Sequence, residues 1–198
     1  GWESDHFDQL PLKEFEDERE AATEVKQRAP ILVVLGNPPY NGYAGVTTEE
    51  ESELIEPYRE GIATKNSLHD LYVRFFRIAE RQIAERSGEG LICYISNFSY
   101  LHEPGFASMR SHLRSNFDHI YIDNLNGDAR ETGKRTPNGE PDPSVFSTKS
   151  NRAGIQTGTA IGTYVRRARP EHEECEPARV YSREFWGRDK RQSLVSAT

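Results

Sequence analysis

Asn37-Pro38-Pro39-Tyr40 stands directly after the apolar run Ile31-Leu32-Val33-Val34-Leu35 and a glycine. These four residues combine an amide, two rigid backbone positions and a flat ring. The prolines fix φ at successive positions and carry no N–H, so carbonyls of the loop are left free to accept hydrogen bonds. An amide oxygen and a carbonyl aimed into one small space form an acceptor pair for an amino group. An exocyclic amine on an aromatic ring is a poor nucleophile because its lone pair is delocalised. Two hydrogen bonds accepted from its hydrogens favour the pyramidal form, which can attack a methyl sulfonium without a strong base. Tyr40 offers the face on which a planar substrate stacks. The alternative is a proline-stiffened turn with a buried tyrosine. Position favours the chemistry, since ligands of open α/β sheets sit at the carboxyl ends of the strands.

The elements that must hold this loop alternate in type. Ile31 to Leu35 is continuously apolar, the pattern of a parallel strand buried on both faces. Residues 41 to 66 form a polar excursion containing Gly42, Gly45 and Gly61 around a short helical stretch near Thr48 to Tyr58. From Leu68 to Arg86, Leu71, Phe75, Ile78, Ala79 and Ile83 recur at helical spacing, which predicts an amphipathic helix of about five turns. Gly88 and Gly90 stop it. Leu91 to Ile95 reads as a second buried strand, followed by the polar loop Ser96-Asn97-Phe98-Ser99. Phe106 to Asn116 reads as a helix and Ile120-Tyr121-Ile122 as a third strand. This order predicts a parallel, doubly wound α/β sheet. Asn124 to Asp142 reads as a long loop with little core. Val145-Phe146 and Ile155 to Val165 suit one or two edge strands, with antiparallel pairing open to them. Residues 1–29 form an acidic arm or helix, 30–166 the body of the domain, and 167–198 a polar linker leading out of it.

Composition excludes several classes. The chain has 198 residues, 35% hydrophobic and 29% charged, enough for one domain with one core. No apolar stretch approaches the roughly 20 residues of a membrane span. The two cysteines, Cys93 and Cys175, cannot make a disulfide framework, which points to the cytoplasm. The six histidines are scattered without zinc-ligand spacing, so no metal is expected. No P-loop or nucleophile elbow is present. A net charge of −7 argues against a nucleic-acid module that works by bulk charge. The chain opens at Gly1 and its one methionine is Met109, which suggests a segment of something longer.

With Asn37-Pro38-Pro39-Tyr40 after a strand, the chain resembles the N6-adenine DNA methyltransferases from about Ile31 to Val165. Asp70-Leu71-Tyr72-Val73-Arg74-Phe75-Phe76 resembles the family's next helix opening. Gly90 to Asn97 and Arg110 to Asp123 are similar to the elements after it. The nearest likeness is to methyltransferase domains of large restriction-modification enzymes of the ISP and IIG-like types, in which a stretch such as Phe185 to Arg188 leads towards target recognition.

The resemblance implies that Asn37 and the Pro38 carbonyl accept from the adenine amine, with Pro39 stiffening the loop and Tyr40 stacking on a base flipped out of double-stranded DNA. It implies Phe146 as a second stacking partner, although a core phenylalanine on an edge strand is the other reading. It implies S-adenosyl-L-methionine as cofactor, with Asn37, Pro38 and Asp70 on its side, although Asp70 also reads as an ordinary helix cap. The glycine-rich loop of the cofactor site has no match upstream of Ile31, and Gly88-Glu89-Gly90 precedes a strand instead of following one. The expected fold is therefore the C-terminal, catalytic half of a Rossmann-like class I methyltransferase sheet, inactive without the remaining domains of a larger polypeptide. The alternatives are a methyltransferase for a glutamine amide or an RNA base, and a non-catalytic DNA-recognition fragment. The long loop at 124–142 and the tail favour DNA.

Overall fold

The computed structural model describes residues 10–27, 30–40, 49–60, 68, 70–170 and 176–197. Cys175, His6, His69 and His172, and most of the polar excursion after Tyr40, lie outside the described residues. The chain divides into two units, Gly1–Ile31 and Leu32–Thr198. In the first, helix α1 spans Leu10–Gln27, and its side chains from Phe15 to Glu24 face solvent.

The second unit is a mixed α/β layer. Its strands are β1 (Val33–Gly36), β2 (Gly90–Asn97), β3 (His119–Asn126), β4 (Thr159–Arg166) and β5 (Arg179–Glu184), in the spatial order β1-β2-β4-β3-β5. β1 pairs parallel with β2, and β3 parallel with β5. β4 is antiparallel to both β2 and β3. Four strands thus run one way, and one runs against them in the interior. This corrects two expectations. The Thr- and Gly-rich segment ending at Val165 is a central strand, and the 167–198 tail supplies β5 and helix α5 (Lys190–Ser196).

The helices between the strands are α2 (Glu49–Leu54), α3 (Leu71–Glu80) and α4 (Ala107–Asn116). α3 widens into a π-helical turn, Arg81–Ser87, which ends at Gly88 with φ 77°, a left-handed cap that glycine adopts at no steric cost. The face α3 buries is Tyr72, Val73, Phe76, Ala79 and Ile83, while Phe75 and Ile78 are exposed. The expected stripe through Leu71, Phe75 and Ile78 is therefore displaced by about one position, because the helix is apolar over more than one face.

The core is aromatic. Phe76 meets Tyr94 of β2 and Tyr164 of β4 edge-to-face, with ring centroids 5.1 and 5.6 Å apart, and Phe117 meets Tyr164 at 5.7 Å. Burying a side chain of this size contributes about 1.5–3 kcal/mol. Glu80, fully buried, accepts from Tyr58 Oη, Arg77 Nη1 and Asn116 Nδ2, which ties the turn Glu56–Arg59, α3 and α4 together.

The other sheet face is different. Leu35, Tyr121 and Tyr181 are exposed, and Leu91, Cys93, Ile95, Ile161, Thr163 and Val165 are only half-buried. Among the described residues helices cover one face only, so the doubly wound expectation is not met. Nor is β1 buried on both faces: Val33 is 52% and Leu35 69% exposed on the sheet face that carries Cys93 and Tyr121, and among the described residues β1 pairs with β2 alone.

Candidate active site

The parallel strands β1 and β2 end side by side, with Gly36 opposite Tyr94. A Cβ at Gly36 would lie 3.0 Å from the Tyr94 ring, so glycine lets the strand end pack closely before the chain turns into Asn37. Pro38 is buried, Asn37 and Pro39 are exposed, and Tyr40 is half-buried. Tyr40 Oη donates to Asn37 Oδ1 at 2.6 Å, and the Ile95 carbonyl of β2 lies 3.3 Å away. One hydroxyl hydrogen serves the shorter contact. That bond fixes the Asn37 amide with its oxygen towards the ring, and the oxygen's second lone pair stays available. Desolvation pushes the Tyr40 hydroxyl up to about 12, so it stays a neutral donor.

A cavity of about 370 Å³ opens beside Tyr40, a volume in the range of small-molecule sites. Its walls come from one end of the sheet. Tyr40 follows β1, Asn97 and Ser99 close β2, Asp128 follows β3, Thr157 precedes β4, and Asp70 opens α3. Asp70 is the N-cap residue of α3, as the cap reading has it by position, although its side chain makes no capping bond. Glu103 and Glu131 add negative charge, and Arg130 is the one cation among the described lining residues. Asp128 is committed to structure: Oδ1 accepts from the backbone of Arg130 and Glu131, both at 2.6 Å, and Oδ2 from Gly158 at 2.9 Å. A Cβ at Gly158 would meet the Phe98 ring at 2.7 Å, which makes glycine the fitting residue at this lip.

Phe146 does reach Tyr40. Their ring centroids are 6.4 Å apart and the planes are inclined by 51°. Phe146 is on a turn, 36% exposed, so it is neither core nor part of a strand. Ser144 shapes that turn, its Oγ accepting from Phe146 N and its carbonyl from Ser147 N. Four of the expected site residues therefore meet: Asn37 and Tyr40 by a hydrogen bond, Phe146 by ring contact, and Asp70 through the shared cavity. The expectation missed Asn97, Asp128 and Thr157, for which the only signal is position, since each flanks a strand end at the same side of the sheet.

Two other features are less apt for chemistry. A hollow of about 720 Å³ outside α3 is lined by side chains such as Arg77 and Glu85, which pair with each other at 2.6 Å. His102, Glu103 and Glu131 bring ligand atoms within 4.8 Å of one another and could hold a metal ion, although His102 Nε2 already lies 2.9 Å from Glu131 Oε1.

No curated protein matches the chain. Among solved structures, a DrdV–DNA complex is 26% identical with a TM-score of 0.68, covering 86% of this chain and 16% of that one. The ATP-dependent Type ISP restriction-modification enzyme LlaBIII bound to DNA is 24% identical with a TM-score of 0.67, covering 97% and 12%. A nuclease-deletion mutant of the Type ISP enzyme LlaGI with a DNA substrate mimic is 23% identical with a TM-score of 0.67, covering 93% and 17%. The chain thus spans between 12 and 17% of the length of these proteins. Residues 4–129, most of the chain and all of the Asn37–Tyr40 loop, match the Eco57I restriction-modification methylase family, and the chain belongs to that family.

Proposed function

We propose that this chain is the catalytic half of a Rossmann-like class I DNA methyltransferase that acts on the N6 amine of adenine within a restriction-modification enzyme. The observation that carries the reading is the Asn37–Tyr40 bond beside the cavity, with Phe146 opposite. A base held between two rings needs roughly 7 Å between their planes, two contacts of about 3.5 Å each. The rings now stand with centroids 6.4 Å apart and planes inclined by 51°, so Phe146 must turn towards parallel and draw back slightly to admit a base. The target nitrogen is out of reach inside a duplex, so the base must be flipped before it can enter.

In this site Tyr40 and Phe146 hold the flipped adenine by its faces. Asn37 Oδ1, kept in place by Tyr40, accepts one hydrogen of the amine, and the Pro38 carbonyl accepts the other. These two bonds localise the nitrogen lone pair; the new carbon–nitrogen bond would replace the methyl–sulfur bond, and the methylated, cationic nitrogen is acidic enough to lose its extra proton to water, so no residue needs to act as a strong base. S-adenosyl-L-methionine, when bound, supplies the methyl group as a sulfonium electrophile. The acidic lining of the cavity, with Asp70, Glu103 and Glu131, fits a positively charged donor. Asn37, Pro38 and Asp70 form one wall for it, and the rest of that pocket comes from other segments of a larger polypeptide. The isolated chain is then inactive. The partner is double-stranded DNA, with phosphate contacts supplied largely by other parts of the enzyme, since this chain carries a net charge of −7. The place of action is the cytoplasm. No described helix is long and apolar enough to cross a membrane, and Cys93 is a free thiol.

The test is nucleoside mass spectrometry of genomic DNA from cells with and without the complete gene. N6-methyladenine that appears only with the gene supports the reading. Methylated cytosine alone, or no new methylation, contradicts it.

A further inference from the structure

We propose that Asn97 is the hydrogen-bond donor that reads the ring nitrogen beside the reacting amine, and so sets which base the site accepts. This rests on the adenine reading and deepens it. Asn97 ends β2, is 7% exposed, and lines the cavity with Tyr40 and Asp70. Its Oδ1 accepts from Ser99 N at 2.9 Å. A backbone N–H can only donate, so the atom facing Ser99 must be the oxygen, and the amide orientation is set by that bond. Nδ2, with two hydrogens, is thereby turned away from the turn, and among the described residues nothing accepts from it. Nδ2 is not sealed off with the buried unpartnered atoms, so its unused hydrogens are open to an acceptor that enters the cavity.

The other groups in the cavity are less suited to this role: the Ser99 and Thr157 hydroxyls rotate and accept as readily as they donate, so neither presents a fixed donor. Asp70, Glu103 and Glu131 are acceptors when ionised, Asp128 has both oxygens engaged, and Tyr40 spends its hydrogen on Asn37. Arg130 is exposed on a long stem. Adenine presents an acceptor nitrogen on each side of its amine, N1 on one edge and N7 on the other. A site that accepts from the amine at Asn37 is completed by a fixed neutral donor alongside, and Asn97 is that donor. Where N1 is the nitrogen read, guanine, which carries N–H there, would meet donor against donor; where N7 is read, guanine is instead opposed by its O6, which would face the Asn37 oxygen acceptor to acceptor.

The test uses the complete enzyme and oligonucleotides in which the target is adenine, 1-deazaadenine or 7-deazaadenine, each opposite an abasic site so that lost base pairing does not enter. Wild type should lose roughly tenfold to a hundredfold in kcat/KM with one of the two deaza bases, the one lacking the nitrogen that is read. Asn97→Ser keeps an oxygen to cap Ser99 but has no Nδ2. In that variant adenine should fall to the level of the deaza base, and the penalty for deaza substitution should vanish. An Asn97→Ser enzyme that is slower on all bases by the same factor, with the penalty intact, would show Asn97 to be only a cap and overturn the inference. So would a wild type indifferent to both deaza bases. A wild type that does not methylate adenine at all would overturn the adenine reading first, and this inference with it.

Discussion

The two ends of the sheet are built on opposite plans. At one end β1 has, among the described residues, a single strand neighbour and exposed apolar side chains at Leu32, Val33 and Leu35. Among the described residues the loop after it is held by the Tyr40 hydroxyl on Asn37, a buried Pro38 and the contact of Tyr40 with Phe146. At the other end β5 is exposed along its whole length, yet the segment after it is locked in place. Lys190, 2% exposed, donates to Asp142 and to the Leu125 carbonyl, both at 2.6 Å. Asp142, fully buried, also accepts from the backbone of Gly127 and Gly187. Burial pulls the Lys190 pKa below the ordinary lysine value even though Asp142 pulls it up. The Asn37–Tyr40 loop and the Asp142–Lys190 anchor thus follow different edge strands, although the anchor also holds the segment that leads to Phe146. Substitutions at the β1 end should cost rate, and those at the β5 end should cost stability.

The largest expected effect is at the anchored end. Lys190→Met leaves the Asp142 carboxylate buried with only backbone donors, and breaking such a pair costs about 3–5 kcal/mol. Urea unfolding should show that loss as a lower midpoint, and a midpoint near that of wild type would mean that the pair does not anchor this end. Next comes Tyr40→Ala at the β1 end, which removes the stacking face, worth roughly 1–3 kcal/mol per base. The complete enzyme should lose about tenfold to a hundredfold in kcat/KM, while its unfolding midpoint stays put. Tyr40→Phe keeps the ring but releases the Asn37 amide, and the loss of one hydrogen bond, about 0.5–1.5 kcal/mol, predicts a smaller fall. Fluorescence of 2-aminopurine at the target should then remain like wild type in the Phe enzyme and differ in the Ala enzyme. Identical behaviour of the two would remove the distinction between stacking and positioning. Arg183→Ala should have the smallest effect. Its pair with Asp123 is solvent-exposed, and such pairs contribute little. A clear drop in the midpoint would shift the anchorage from the buried pair to the strand itself.

How far the sequence disclosed this plan depended on the kind of signal. β2, β3, α3 and α4 were legible because apolar runs and glycine stops are local properties. The run at Ile31 to Leu35 was legible as a strand, but its double burial was not met, since an apolar run records strand propensity and not which face a neighbour covers. β4 looked like an edge because Thr159 to Arg166 is rich in small and polar residues. Its partners on both sides lie far away in sequence and leave no local trace. β5, Arg-Val-Tyr-Ser-Arg-Glu, has no alternation at all. It joins the sheet through pairing with β3. Asp142 and Lys190 read as a loop aspartate and a tail lysine until the fold brings them together. At the site, Asn37 to Tyr40 stood out by residue type, and Phe146 came from resemblance, not from any strand pattern. Asn97 and Thr157 were hidden because only topology places them at the same end of the sheet as Tyr40.

The proposed chemistry depends above all on Asn37 acting on the reacting amine while contributing little to holding DNA or the fold. Asn37→Ala in the complete enzyme, assayed with a radiolabelled methyl donor and by DNA binding at fixed salt, separates these roles. Methyl transfer should fall by at least about a hundredfold, the scale of losing one hydrogen-bonding group matched to a transition state. DNA affinity should stay within a few-fold of wild type, because affinity for DNA comes mostly from charged contacts to phosphates, which a neutral amide does not supply. An Asn37→Ala enzyme that keeps a substantial fraction of the rate, or one that loses rate only in proportion to lost DNA binding, would contradict this role for Asn37.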